Sequence, residues 1–282
     1  MPAPSIAPAP LDRSAPSMSL STQDRRSRIL RQILDRGHVT VRALVDDMSV
    51  SEATVRRDLR ALADTHQLEL VYGGATLPRP ADVSVQSKAQ RNVEAKRRIG
   101  RLAAELVHDR EMLFIDSGTT SFEMCAHLKS RRGLTVITNS ARVAAELGSV
   151  PDLNLILIGG KFRTDRMDTV GPLATAAIEQ MRGFVAFVGA DGLGADFGVT
   201  ANDLETAHLH QHVIRNARES ILLVDHHKFL TPSLFRICEL HAVSRIVTDQ
   251  APRAEWAELL NGKGIELLAP GPEPALATAN GH

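Results

Sequence analysis

Cysteine is almost missing from this 282-residue chain; Cys125 and Cys238 stand far apart, without metal-type spacing. A disulfide framework and a cysteine-based zinc site are both disfavoured, and a reducing cytoplasm fits. Net charge is missing too, since 33 basic residues balance 33 acidic ones. No global basicity announces a nucleic-acid partner, although a small basic head on a larger neutral body would give the same average. Long apolar runs are also lacking. The longest, Leu153 to Ile158, is interrupted by Asn154 and is far too short to span a bilayer. The first twenty residues are rich in Pro, Ala and Ser but have no basic start followed by an apolar segment. They read as a disordered leader rather than a signal peptide. Lysine is absent until Lys88, so every Lys or Arg position before it is arginine, the type suited to bidentate phosphate and base contacts.

What the chain does contain is ordinary for a globular protein, with 43% hydrophobic and 23% charged residues, and it is long enough for two domains. From Gln23 to Arg36, Ile29, Leu30, Ile33 and Leu34 mark one helix face, and Gly37 stands where a helix would end. Thr40 caps a second short helix, Val41 to Met48, and Ser49-Val50 form a turn. A third helix opens at Ser51, a suitable N-cap, with Glu52 in the first turn, and runs to about His66. In it Val55, Leu59 and Leu62 share a buried stripe, while Ala53, Arg57 and Arg60 lie opposite, flanked by Thr54 and Arg56. A β-like piece, Leu68 to Tyr72, and the Gly73-Gly74-Ala75 turn follow. This order describes a winged helix-turn-helix. Pro78 and Pro80 mark a linker, and a charged helix from Lys88 to about Val107 carries the stripe Ile99, Leu102, Ala103 and Leu106.

Six short apolar runs come next: Met112–Ile115, Leu134–Ile137, Leu153–Ile158, Phe184–Val188, Ile221–Val224 and Arg245–Val247. Runs of this kind suit strands buried on both faces, hence an α/β domain with a parallel sheet. Each ends in polar or glycine chemistry, and ligands of open α/β sheets bind beyond the carboxyl ends of the strands. Asp116, Ser117, Gly118, Thr119 and Thr120, Thr138, Asn139 and Ser140, Gly159 and Gly160, Asp191, and Lys228 therefore fall on one rim. Ser-Gly-Thr-Thr between a strand and a helix offers N–H groups and hydroxyls to an anion, though it would equally make a simple N-cap turn. Asp116, Asp191 and Asn139 suit sugar hydroxyls; Asp191-Gly192 also suits a plain turn. Lys228 is either a point charge toward phosphate or a solvated surface lysine. His208, His210 and His212 form no motif of the His-Glu-x-x-His kind, and no metal or cofactor is expected.

Ser51-x-x-Thr54-Val55-Arg56-Arg57-Asp58-Leu59, Gly73-Gly74-Ala75, Asp116-Ser117-Gly118-Thr119-Thr120, Thr138-Asn139-Ser140, Gly159-Gly160, Val170-Gly171-Pro172 and Asp225-x-x-Lys228-Phe229 occur in that order. With them, over roughly residues 23–250, the chain resembles the DeoR family of bacterial transcriptional regulators. The resemblance implies a winged-helix domain followed by a sensor domain related in fold to sugar-phosphate isomerases and deaminases. It implies repression of a sugar-catabolism operon, release by a phosphorylated sugar, and a homo-oligomer, dimer or tetramer. The family usually has glycine at His66, arginine at Leu70 and histidine at Tyr72, so the wing is less basic than its relatives', and it commonly has a lysine near His210.

The resulting division is 1–20 leader, 21–76 DNA-binding domain, 77–98 linker and connecting helix, 99–269 effector-sensing domain, and 270–282 flexible tail. Ser51, Thr54, Arg56, Arg57 and Arg60 are the candidate contacts to double-stranded operator DNA. Arg57 and Arg60 lead, and Arg56 either meets a phosphate or pairs with Asp58. No membrane partner is expected. The competing reading is a sugar-phosphate isomerase or deaminase with an accessory DNA-binding head, for which Glu205 is a conceivable base; the lysine loop and acidic cluster of the isomerases are not evident.

Overall fold

Capping chemistry sets the first elements of the chain, which a computed structural model describes over residues 21–64, 68–76, 85–230 and 232–270. The Ser21 hydroxyl accepts the Asp24 N–H to start α1 (Thr22–Arg36), and Gly37, at φ 77°, closes it by donating to the Ile33 carbonyl. After β1 (His38–Thr40), the Thr40 hydroxyl caps α2 (Val41–Met48) through the Ala43 N–H. The Ser51 hydroxyl accepts from Thr54 N–H at 3.2 Å and opens α3 (Glu52–Asp64). Then β2 (Glu69–Val71) and β3 (Gly74–Thr76) join β1 in an antiparallel sheet of order β1-β3-β2. Ile29, Ile33, Leu44, Val55, Leu59 and Leu62 are at most 3% exposed and form the small core. Each contributes about 1.5–3 kcal/mol by burial.

Two features correct the sequence reading here. Gly74-Ala75 is a strand rather than the turn itself, because β1 supplies a pairing partner that short polar segments do not advertise. A Cβ on Gly74 would lie 2.0 Å from the Val39 carbonyl oxygen, so that pairing needs glycine. Asp58 does not pair with Arg56. It is 1% exposed and accepts from Arg25 Nε at 2.9 Å and Arg26 Nε at 3.1 Å, which ties α3 to α1.

The charged helix expected from Lys88 is two. α4 (Val85–Ala89) and α5 (Val93–Glu105) are separated by Asn92 in the left-handed region at φ 50°. Lys96 Nζ donates to the carbonyls of Lys88 and of Arg91, so a buried ammonium satisfies the acceptors that a continuous helix would have used. The leader 1–20, His66, Pro78 and Pro80, the Leu34 side chain and the tail from 271 lie outside the described residues.

The second unit alternates strands with helices: β4 (Met112–Ile115), α6 (Thr119–Phe122), α7 (Cys125–Leu128), β5 (Thr135–Thr138), α8 (Ala141–Leu147) and β6 (Asn154–Leu157). A hairpin of β7 (Lys161–Arg163) and β8 (Asp168–Val170) leads to α9 (Pro172–Glu179) and β9 (Val185–Gly189). β10 (Gly192–Gly194), β11 (Gly198–Ala201), α10 (Leu204–Asn216), β12 (Glu219–Leu223), a 3-10 turn (His226–Leu230), β13 (Phe235–Cys238), β14 (Arg245–Val247), α11 (Ala254–Gly262) and β15 (Glu266–Leu268) complete it. Seven strands form one parallel sheet in the order β15-β14-β12-β9-β4-β5-β6, while β10, β11 and β13 make a small antiparallel sheet beside it. Period-two alternation divides the core. Phe114, Ala186, Val188 and Leu222 face Ile178, Val213 and Leu260 of α9, α10 and α11. Leu113, Ile115, Phe187 and Leu223 face Ile99, Leu128 and Val143 of α5, α7 and α8. The six apolar runs all became strands of this sheet; β15 adds a seventh. Among the described residues no helix is long and apolar enough to cross a membrane.

Replacing Asp58 by Ala would leave two guanidinium groups against a buried surface. We expect a loss of about 2–4 kcal/mol in the stability of α1 against α3. Urea titration of the full chain with hydrogen exchange read at α3 measures this; unchanged protection would refute the role given to Asp58.

Candidate functional site

The buried Asp116 carboxylate organises the end of the sheet. Asp116 is 2% exposed, and its Oδ1 accepts the Gly118 N–H at 2.9 Å while Oδ2 accepts the Gly189 N–H at 2.8 Å. One side chain thus stitches the loop after β4 to the last residue of β9. A Cβ on Gly118 would come within 2.9 Å of the carboxylate, so the loop closes this tightly only around glycine. The Ser117 hydroxyl donates to Asp168 Oδ2 at 2.8 Å. Arg163 holds the same Asp168 with both Nε and Nη2, at 2.8 and 2.7 Å, and reaches Asp203 Oδ1 at 2.8 Å. Asp203 in turn caps α10 through the Thr206 N–H.

Beyond these strand ends lies a cavity of about 300 Å³. Ser117, Gly118, Thr119 and Thr120 form one wall, with Asp116 behind them. Lys88, Arg91 and Lys96 come from α4, the turn after it and α5; Lys228 comes from the 3-10 turn after β12; Arg166 comes from the β7–β8 hairpin. Lys96 is 6% exposed. Burial, opposed by Asp225 and reinforced by the neighbouring Lys228, Lys88 and Arg91, pushes its ammonium down to about 8. Burial works against ionisation of Asp191, yet the ammonium groups of Lys88 and Lys228 prevail and hold it well below the usual carboxylate range. Asp225 is held low in the same way, against burial, by the His227 hydrogen bond and Lys228. The cavity is therefore dense in charge but formally balanced, with the cations Lys88, Arg91, Lys96, Arg166 and Lys228 set among the carboxylates Asp64, Asp116, Asp168, Asp191 and Asp225. Asp116 is already taken up by the Gly118 and Gly189 N–H groups and Asp168 by Ser117 and Arg163, so the mixed lining suits a small molecule that carries both an anionic group and hydroxyl groups.

Seven of the sequence-derived rim residues line this cavity: Asp116, Ser117, Gly118, Thr119, Thr120, Asp191 and Lys228. The other five do not. The Thr138 hydroxyl donates to the Ile115 carbonyl at 2.6 Å, the Ser140 hydroxyl caps α8 through the Val143 N–H, and the Asn139 amide donates to the Thr169 carbonyl. Gly160 packs where a Cβ would lie 2.6 Å from the Val170 carbonyl oxygen, and neither it nor Gly159 reaches the lining. Glu205 sits outside too, 3.2 Å from Lys161 Nζ on the surface. Sequence reasoning missed Lys88, Arg91, Lys96, Arg166, Asp168 and His210. One of these was visible: Lys96 falls in helical register with the apolar stripe of α5, where a charge demands a reason. His210 Nε2 lies 3.6 Å from Asp116 Oδ2 at the cavity, while His208 and His212 form a separate surface pair with Nε2 atoms 3.4 Å apart. Among the described residues no three His, Cys, Asp or Glu side chains converge as metal ligands do. Burial pushes both thiols, Cys125 and Cys238, up to about 12.

On α3 the stripe Val55, Leu59 and Leu62 is inside, and Arg56, Arg57 and Arg60 are exposed. Arg56 pairs with Glu52 at 2.6 Å, one turn earlier, whereas among the described residues Arg57 and Arg60 have no ion-pair partner. The Ser51 and Thr54 hydroxyls lie 2.9 Å apart at the start of the helix. The wing presents Leu70, Val71 and Tyr72 to solvent, with Tyr72 fully exposed.

Comparison with known proteins agrees with both units. The DeoR C terminal sensor domain matches residues 91–250, and the DeoR-like helix-turn-helix domain matches residues 25–81. The glycerol-3-phosphate regulon repressor of Escherichia coli (strain K12) is 30% identical over 244 residues, 86% of this chain and 97% of that one. The lactose phosphotransferase system repressor of Lactococcus lactis subsp. lactis is 34% identical over 213 residues, 72% of this chain and 83% of that one. Ribose 5 phosphate isomerase A from Neisseria gonorrhoeae aligns over 49% of this chain and 53% of its own, at 16% identity and a TM-score of 0.34. With a head and a sensor that each match their own model, this chain belongs to the DeoR family of DNA-binding transcriptional regulators.

Proposed function

We propose that the protein represses a carbohydrate-catabolism operon and is released from its operator by a phosphorylated sugar bound beyond the strand ends, acting as a cytoplasmic homo-oligomer, dimer or tetramer. The observation that carries this reading is the cavity in which Lys88, Arg91, Lys96 and Lys228 meet the Ser117–Thr120 loop. A phosphate ester bears nearly two negative charges at neutral pH, which suit charge-assisted hydrogen bonds from lysine ammonium groups and from the N–H and hydroxyl donors of this loop. Each hydrogen bond to it contributes about 1.5–3 kcal/mol, so three or four support micromolar affinity after the costs of association. The names of the relatives, one a regulon repressor for a phosphate ester and one a repressor of a sugar phosphotransferase system, favour the same class. Two copies would set their α3 helices in successive major grooves, with Arg57 and Arg60 toward base edges and phosphates.

A thermal-shift panel of hexose, pentose and triose phosphates, with the free sugars and inorganic phosphate alongside, tests the pocket. At least one sugar phosphate raises the unfolding temperature and its free sugar does not; a panel without any such response overturns the reading. Affinity for that ligand falls between pH 7 and pH 9, because Lys96 loses its proton near 8 and the pocket then holds one cation fewer while the phosphate charge stays constant. Isothermal titration across that range checks the sign, and rising affinity would contradict it. Arg57→Ala weakens operator binding by about 1–3 kcal/mol with folding intact. Footprinting at moderate salt measures it, and an unchanged footprint removes Arg57 from the DNA interface.

A further inference from the structure

α4 is where the pocket meets the path to the DNA-binding unit. Thr76 closes β3, Val85 opens α4, and only residues 77–84 join them. Of the cations lining the cavity, Lys88 is the one carried on α4 itself. Its Nζ lies 2.7 Å from Asp191 Oδ1, with the two side chains 28% and 14% exposed. Asp191 follows β9, the central strand whose end Asp116 fixes, and its second oxygen accepts the Asn202 N–H at 2.9 Å. The Asp191 end of this pair is therefore anchored to the sheet, while the Lys88 end belongs to a five-residue helix. α4 is also held by the Val85 N–H, which donates to the Asp165 carbonyl at 2.9 Å, by Lys96 Nζ, which donates to the Lys88 carbonyl, and by the Ser87 hydroxyl, which accepts from Arg91.

An anion entering the cavity meets this pair with opposite effects on its two halves: it attracts Lys88 and repels Asp191. A phosphate ester carries more negative charge than the single Asp191 carboxylate and draws the ammonium toward itself, and any shift of Lys88 toward the ligand moves α4 relative to the sheet. Resting on the sugar-phosphate reading of the pocket, we propose that the Lys88–Asp191 ion pair is the element that reports ligand binding to the DNA-binding unit, Lys88 exchanging Asp191 for the ligand phosphate. Lys88 is thus a positioning residue for coupling, distinct in role from Lys96 and Lys228, which bind without being carried on α4.

The test uses full-length protein, a DNA fragment selected from random sequence by the wild type, and the sugar phosphate giving the largest thermal shift. DNA affinity is measured with and without saturating ligand, and ligand affinity separately by calorimetry. In the wild type the ligand changes DNA affinity by about tenfold or more. In Lys88→Met and in Asp191→Asn that ratio collapses below about threefold even at saturation, and Lys88→Arg restores it. A simple ligand contact at Lys88 would weaken calorimetric affinity yet leave the ratio at saturation intact, and Asp191→Asn would then be silent; either result overturns the proposal. If the wild type binds no sugar phosphate, the pocket reading itself fails and this inference falls with it. Wild-type binding with an undiminished ratio in Lys88→Met sinks the inference alone.

Discussion

The sensor unit is built around one constraint, a carboxylate removed from water with both oxygens satisfied by backbone N–H groups. An ionised group pays heavily for burial unless its hydrogen bonds are supplied, and Gly118 and Gly189 supply them to Asp116. In doing so they fix the ends of β4 and β9 against one another. The loop that lines the cavity inherits its shape from that junction, since Ser117, Thr119 and Thr120 follow directly. Asp168, Arg163 and Asp203 extend the same logic outward, so the wall of the cavity and the cap of α10 belong to one hydrogen-bonded set. Preorganised donors of this kind do not have to be ordered when the ligand arrives, which is what allows a small site to discriminate.

The DNA-binding unit has its own version of this device. Asp58 sits on the inner side of α3 and draws Arg25 and Arg26 across from α1, sparing Arg57 and Arg60 for the outer side. Arg56 is half-spent on Glu52, a surface pair of small energetic consequence that a phosphate can displace. The wing, with Leu70, Val71 and Tyr72 outward, carries no cation at its tip. The exposed cations of this region therefore lie on α3 rather than at the tip of the wing.

Much of the fold was legible in the residues. Strands buried on both faces give unbroken apolar runs, and Met112–Ile115 and Arg245–Val247 begin and end where those runs do. β15 was hidden because Glu266-Leu267-Leu268 is short and lies at the sheet edge, where burial no longer enforces a pattern. The division of α4 from α5 was hidden for another reason: the break depends on Asn92 adopting a left-handed conformation and on a lysine reaching back to carbonyls, and periodicity records neither. In the site, the loop after β4 was readable because its chemistry is contiguous. Thr138, Asn139 and Ser140 share that composition but are consumed by capping and by strand-end bonds, and composition cannot separate the two uses. The cations of the pocket come from segments far apart in sequence, so only the folded chain brings Lys88 to Asp191.

The late appearance of lysine acquires a meaning once the pocket is in view. Lys88, Lys96 and Lys228 all belong to the cavity, and the segment before them contains no lysine at all. Side-chain primary amines therefore begin only at α4, and the helix-turn-helix unit before it carries arginine but no lysine. Acylating agents, whether enzymatic or metabolic, react with amines and spare guanidinium. Any such chemistry acting on side chains would fall on the cavity lining and spare α3, and burial, which lowers the Lys96 ammonium to about 8, leaves that amine partly unprotonated wherever reagent can reach it.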